Sequence, residues 1–279
     1  MTRPSWRHPA REALSRVIVL GLAGALGALV ALPVVALLFR VTPHAVLAQL
    51  AKPEIRQTLW LSLETSLSAT AVSIAVGLPT AHLMATREFA GKKALDVLLD
   101  LPMVLPPTVA GFALLMAFGR AGLLGGALSA FGITLPFTTM GAIVAQVFMA
   151  VPFFVGATRA GFAAVDRRYL DAAATLRASG SYAFWRVRLP LALPSVVAGA
   201  GMCWARALGE FGATITFAGN LAGTTRTMPL EVYLQLHEDL DAAATLSFLL
   251  VIMATVLLAG MRQAGLGLFA TPRAPRHTT

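Results

Sequence analysis

The sequence predicts an all-α integral membrane protein with about six transmembrane helices, and three observations predict it. Hydrophobic residues make up 57% of the 279-residue chain and charged residues only 13%, with a mean hydropathy of +0.74, far from the balance of a soluble domain. The apolar residues gather into runs that match the roughly 20 residues needed to cross a hydrocarbon core about 30 Å thick. The basic residues fall unevenly on alternate loops, as in a chain oriented by the positive-inside rule.

Residues 17–39 form the first run. A basic segment precedes it, as in a signal peptide, but the run is too long for a signal core and reads as a retained span. Further spans are expected at about 59–84, 103–118, 140–162, 193–217 and 242–261. The third is short and opens with Pro102, Pro106 and Pro107, which suit a helix start because proline lacks a donor that the first turn leaves unpaired anyway. An even number of spans puts both termini on one side. The tails and even loops carry fifteen basic residues (Arg3, Arg7, Arg11, Arg16, Arg87, Lys92, Lys93, Arg167, Arg168, Arg177, Arg186, Arg188, Arg262, Arg273 and Arg276). The odd loops carry five (Arg40, Lys52, Arg56, Arg120 and Arg226), and Arg159 and Arg206 fall inside spans. Both termini and the loop after the fourth span are therefore expected in the cytoplasm, on the inner side of a bacterial cytoplasmic membrane.

The formal charge of +9 is thus topology. It gives no nucleic-acid interface, because the cations are scattered among spans and no basic domain exists to dock a duplex. A single cysteine, Cys203 in the fifth span, excludes an internal disulfide and a cysteine metal cluster, leaving packing as its role. The chain divides into a tail at 1–16, the first span with its outer loop at 17–53, a membrane domain at 54–262 and a second tail at 263–279, whose residues 271–279 read as disordered. No internal repeat is visible.

The energy source is constrained by what is missing. Gly91-Lys92-Lys93 lacks the upstream glycine and the hydroxyl of a phosphate loop, so the chain has no such site for ATP. A G-x-S-x-G elbow and an H-E-x-x-H pair are also missing, and His8, His44, His82, His237 and His277 are dispersed. No catalytic, cofactor-binding or metal-ligating set is read from the sequence.

The loop after the fourth span carries the strongest signal. It reads as a short helix with Ala172, Ala173 and Ala174 on a low surface that another protein can approach, then Gly180 at a sharp turn, then a second short helix ended by Pro190. A helix outside the membrane needs something to cover its apolar face. Here the sequence resembles the permease subunits of ABC importers, whose cytoplasmic loop has the pattern E-A-A, a glycine four residues after the second alanine, and a hydrophobic-x-L-P ending. Asp171-Ala172-Ala173 and Val187-Arg188-Leu189-Pro190 fall at the matching places. Asp171 replaces the glutamate and Arg177 stands where that family has glycine. The resemblance implies a type I importer permease fold over 54–262, with coupling helices between the fourth and fifth spans that dock on an ATPase subunit.

The fifth span puts two charges in the membrane, Arg206 and Glu210, four residues apart and able to neutralise each other. Each such charge costs at least about 2.5 kcal/mol at mid-membrane, so it faces a bundle interior or an aqueous path. The pair therefore reads either as a structural lock between helices or as the border of a pathway. Gly209, Gly212 and Gly219 would allow close approach and bending, and Thr214, Thr216 and Asn220 add hydrogen-bonding groups towards the outer end. Glu64 in the second span is a further buried-charge candidate, read as a structural partner.

Residues 101–112 (LPMVLPPTVAGF), Leu208-Gly-Glu-Phe-Gly-Ala-Thr214, Phe217-Ala-Gly-Asn220 and Thr227-Met-Pro-Leu230 narrow the resemblance to molybdate permeases (the ModB type) of the sulfate/molybdate family. It runs from about Thr58 to the end of the sixth span. It implies a homodimer in the lipid bilayer, two ABC ATPase subunits that carry ATP and magnesium, and an extracytoplasmic molybdate-binding protein that holds most of the selectivity. Tungstate is an equally compatible cargo, and a sulfate or thiosulfate permease is the alternative within the family. Of other classes, a secondary transporter would need more coupling residues than Glu64, Arg206 and Glu210, and a membrane scaffold would have no use for the loop at Asp171.

Overall fold

The computed structural model describes the backbone of residues 9–268 and the side chains of residues 15–260 and Gln263. The expected tail at 263–279 lies largely outside the described residues, as do residues 1–8. Every regular element among the described residues is helical.

The first helix, α1 (Pro9–Arg40), begins within the segment expected to be a tail. From Val17 to Phe39 it is apolar on all sides, and its side chains from Ser15 to Ala36 are exposed on the protomer, as expected of a helix immersed in lipid or against another apolar surface. The short α2 (Pro43–Ala51) starts where the Thr42 hydroxyl accepts a hydrogen bond from the Ala45 N–H at 3.2 Å. The long α3 (Pro53–Thr86) follows. Its hydroxyls donate to carbonyls one turn back, Ser62 to Thr58, Thr70 to Ser66 and Thr86 to His82. A polar side chain inside a membrane is thereby satisfied without breaking the helix.

The third expected span is interrupted. The helix α4 (Lys92–Val104) ends at Leu105, which is extended (ψ 134°), and α5 (Pro107–Phe118) begins after Pro106. Proline disfavours a helical conformation in the residue before it, so the break at Leu105 follows from Pro106. At 12 residues, α5 is about 18 Å long and too short to cross a bilayer alone. After α6 (Gly125–Ala130) comes α7 (Thr139–Ala164), whose first turn is capped by the Thr138 hydroxyl. Next are α8 (Arg167–Thr175), α9 (Gly180–Ala183), a π-turn at Phe184–Arg188 and α10 (Leu189–Leu208). A six-residue α11 (Gly212–Phe217), α12 (Met228–Glu238) and α13 (Leu240–Leu268) complete the described chain. Five helical stretches, Ser15–Arg40, Pro53–Thr86, Thr139–Ala164, Gly180–Leu208 and Leu240–Gly260, are long and apolar enough to span a membrane.

Two sequence expectations change here. Pro190 does not end a helix: the chain runs helically from Gly180 to Leu208, and Pro190 sits in the first turn of α10. The π-turn just before it loosens the hydrogen-bond ladder where the proline has no donor to offer. The fifth span does not continue to Phe217, because α10 stops at Leu208 and α11 starts afresh at Gly212.

The bundle is built on α3, α7 and α10. Their shared core is mostly small, with Ala69, Ala81, Ala150, Ala192, Ala200, Cys203 and Ala207 around Phe154, Val155, Phe162 and Val196. Small side chains let helices approach closely where lipid gives no hydrophobic drive to associate. A second cluster joins α5 and α11 to α7 through Ala110, Leu114, Ala145, Met149, Ala213 and Phe217. The rings of His82, Phe162 and Phe184 meet at 4.6–5.9 Å between centroids, so the C-terminal ends of α3 and α7 and the entry into α10 share the end of the bundle that carries α8. At the opposite end the Met228 N–H donates to the Ser62 hydroxyl at 2.6 Å, and Thr139 donates to the Thr224 carbonyl at 2.8 Å.

Candidate functional site

The first candidate region is the α8 loop. Asp166 caps α8 by accepting from the Arg168 N–H and the Arg168 Nε, each at 2.9 Å. These bonds, the side-chain one foremost, hold its carboxyl below the usual carboxylate range. The helix ends in a left-handed residue, Arg177 (φ 58°), with the Ala178 N–H donating to Ala173 O at 3.0 Å and the Arg177 N–H to Ala174 O at 2.9 Å. That double closure is a Schellman motif, whose reversing position is usually glycine. The residue type that the resemblance places at Arg177 is thus the one the backbone there favours. The chain reverses at Arg177, and Gly180 is simply the first residue of α9, which corrects the turn expected at Gly180.

The alanines of α8 divide. Ala173 is buried at 8% exposure against its own loop, while Asp171, Ala172 and Ala174 face outward. The Asp171 side chain makes no hydrogen bond or ion pair among the described residues. Around them stand Leu176, exposed at 83%, with Tyr169 and Tyr182 also exposed, on an open cleft of about 720 Å³ that reaches Val187. Exposed tyrosines are of the type enriched at protein interfaces, and the small outward alanines beside them leave room for another surface to approach closely. Leu189 is half-buried and Pro190 exposed, both at the start of α10.

The second region is the break between α10 and α11. Gly209 ends α10 and Glu210 lies in the link. The Glu210 carboxylate accepts from the Ala213 N–H through Oε1 at 2.8 Å and pairs through Oε2 with Arg206 Nη1 at 2.5 Å. It therefore anchors the first turn of α11 on the last turn of α10, with Glu210 at 1% exposure and the Arg206 side chain at 26%. Gly212 packs on α5: a Cβ there would stand 2.6 Å from Pro107 Cβ. Gly111 packs reciprocally, since its Cβ would lie 2.7 Å from the Ala213 carbonyl oxygen.

Of the remaining candidates, Thr214 is fully buried, with Oγ1 unpartnered. Thr216 donates to Gly212 O at 2.9 Å. Gly219 is left-handed (φ 75°) just after α11. The Asn220 Oδ1 accepts from Arg226 Nε at 3.0 Å, and Arg226 also pairs with Glu231 at 3.5 Å. The structure thus gathers Arg206, Gly209, Glu210, Gly212, Thr214 and Thr216 around one helix break, and places Asn220 in a separate network that fastens the link into α12.

Glu64 is not buried within the protomer. It lies on the exposed face of α3 and forms no ion pair among the described residues. Sequence reading also missed Asp96, the α4 residue that pairs with Arg159 of α7; an unpartnered arginine within a span was itself the signal that an acid had to be near. The cap at Asp166 was readable from an aspartate standing directly before a helix.

Residues 73–264 match the family of binding-protein-dependent transport system inner membrane components. The chain is 41% identical over 254 residues to the molybdenum transport system permease protein ModB of Mycobacterium tuberculosis, covering 91% of this chain and 96% of that protein. It is 41% identical over 205 residues to ModB of Escherichia coli K12, covering 72% and 90%. In fold it is similar to a chain from a bacterial ABC transporter involved in the import of the acidic polysaccharide alginate (TM-score 0.77, 13% identity, 95% of this chain and 99% of that chain). A chain of the inward-facing MetNI methionine ABC transporter is also similar (TM-score 0.62, 16% identity, 77% and 96%).

Proposed function

The chain belongs to the family of binding-protein-dependent transport system inner membrane components, and on that premise we propose that it is the membrane-spanning permease subunit of an ATP-driven molybdate importer. Its fold is that of ABC importer permeases of type I. The observation that carries the reading is α8, a nine-residue helix held outside the spans by its own caps, on a chain that matches molybdenum permeases along nearly its whole length. A free Asp171 beside exposed Ala172, Ala174 and Leu176 fits a groove on a separate ATPase subunit.

Two copies of the chain, two ATPase subunits holding ATP and magnesium, and an extracytoplasmic molybdate-binding protein make the working assembly. Glu64 supports the pairing of two copies. It lies about 8 Å from the midpoint of the 34-residue α3, well within the half-thickness of a bilayer core. A bare carboxylate at that depth costs at least about 2.5 kcal/mol in lipid, so its face of α3 is turned to a second protomer or to the water between protomers. ATP binding closes the two ATPases and draws both α8 helices together; the outer side opens to receive the anion, and hydrolysis resets the pair. The chain supplies the path and does no chemistry of its own.

The test is uptake of labelled molybdate in cells lacking their own molybdate permease, with this chain expressed beside its ATPase and binding protein. Restored molybdate uptake that vanishes with an ATPase unable to hydrolyse ATP supports the assignment. Restoration of sulfate or thiosulfate uptake in its place would move the chain to the other branch of the family, and uptake that persists without the ATPase would overturn the ABC reading altogether.

A further inference from the structure

Beside α8, where α3 ends and α10 begins, lies a partly open cavity of about 380 Å³ bounded by His82, Arg87, Leu170, Phe184 and Arg188. Two polar atoms within this group, Nδ1 of His82 and Nε of Arg188, are buried without a hydrogen-bond partner. A buried donor left unmade is costly, and a guanidinium donor more so than a neutral one. The local charge is one-sided. Arg87 and Arg188 both act electrostatically on His82, and Arg167 acts on Arg188.

No acid lines the cavity: Glu88 pairs with Lys92 at 2.7 Å, Asp166 with Arg168 at 2.7 Å and Asp96 with Arg159, and the unpaired Asp171, next to Leu170, is exposed on the outward face of α8. Cations around an unfilled space, with an orphan N–H among them and no carboxylate to answer it, describe the receptor for an anion. We propose that this cavity binds a phosphate-type tetrahedral oxyanion, with Arg188 Nε as the buried donor, Arg87 at the rim and the His82 ring nitrogen at the wall.

The cavity lies between separate elements. Leu170 belongs to α8 and Gly180 to α9, while His82 and Arg87 belong to the end of α3. A bound oxyanion therefore fixes the α8 loop against the bundle. The same chemistry is offered by a phospholipid headgroup, reached from the membrane surface at the last turn of α3, and by free phosphate. The inference stands independently of which anion the assembly transports.

The experiment uses the purified full-length chain with its ATPase subunits. Retention of phosphatidylglycerol is read by native mass spectrometry after extraction from vesicles of phosphatidylglycerol and phosphatidylcholine, and inorganic phosphate binding is read by thermal shift in lipid-free detergent. Wild type should hold one phosphatidylglycerol per chain in preference to phosphatidylcholine, or show saturable stabilisation by phosphate. Arg188→Gln should weaken whichever is seen by roughly tenfold or more, the scale of one charge-assisted bond. Arg87→Gln, at the exposed rim, is the second variant should Arg188→Gln fail to accumulate. Retention of the lipid without a phosphate response assigns the headgroup as source, and a phosphate response without lipid selectivity assigns the soluble anion. Equal binding in wild type and variants, or no binding of either probe, overturns the proposal.

Discussion

Glu210→Gln separates two jobs that one carboxylate performs. Its Oε1 accepts the Ala213 N–H at 2.8 Å and its Oε2 meets Arg206 at 2.5 Å. Glutamine can still accept from Ala213 but offers Arg206 no charge. The loss should be about 2–3 kcal/mol, in the upper part of the range for a hydrogen bond to a charged group and below the 3–5 kcal/mol for breaking a fully buried pair. The discount comes from Arg206, whose side chain at 26% exposure can still reach water once its partner is gone. Arg206→Gln should be the worse variant, because it strands a carboxylate that is only 1% exposed. The double variant should cost less than the two single changes added, by about 1.5–3 kcal/mol. Melting of the detergent-purified chain gives the ordering, and uptake by reconstituted vesicles gives the consequence for transport, with assembly on the ATPase expected to survive Glu210→Gln. Simple additivity, or a Glu210→Gln protein that melts and transports like wild type, would refute the idea that this pair fastens α11 to α10.

Arg177→Gly should leave transport intact and stabilise the α8 loop by up to about 1 kcal/mol, since an L-residue pays a steric penalty at φ 58°; greater susceptibility of the loop to limited proteolysis would count against it. Ala172→Glu, on the outward face, should leave the loop folded and abolish copurification of the ATPase, whereas Ala173→Glu, which cannot keep its charge in a site only 8% exposed, should disorder the loop as well; identical proteolysis of the two variants would contradict the division of the face. Gly212→Ala should cost about 1–3 kcal/mol by overpacking, because the new methyl would stand 2.6 Å from Pro107 Cβ, and normal melting and uptake would show that α5 yields freely. A reporter fused to the C-terminus should be active only in the cytoplasm, and activity solely on the outer side would reverse the topology.

The spans were legible because membrane insertion is a demand on composition, and α1, α3, α7 and α13 announce themselves as apolar runs. The Arg206–Glu210 contact was legible too, from a spacing of four. Hydropathy is blind to what the backbone does inside a run, so the breaks at Leu105 and Gly209 and the π-turn at Phe184–Arg188 needed coordinates. Arg159 within a span called for an acid, but its partner Asp96 stands 63 positions away and nothing local says which acid it is. The exposure of Glu64 was hidden for a different reason. The buried face of α3 includes Ser62, Thr65, Ser66, Thr70 and Ser73, so polarity does not mark the outside of this helix and its orientation could not be read from its pattern.

The uninterrupted helical run from Gly180 to Leu208 has a mechanical consequence. Its 29 residues make a rod about 43 Å long, with the α8 loop hinged at one tip and Arg206, near the link to α11, at the other. A tilt of about 5° around its middle would swing each tip by about 2 Å in opposite directions, given that length. If the run tilts as one body, a displacement of the loop would arrive at the α10–α11 break as motion of a lever arm resting on the small-residue contact with α3 and α7.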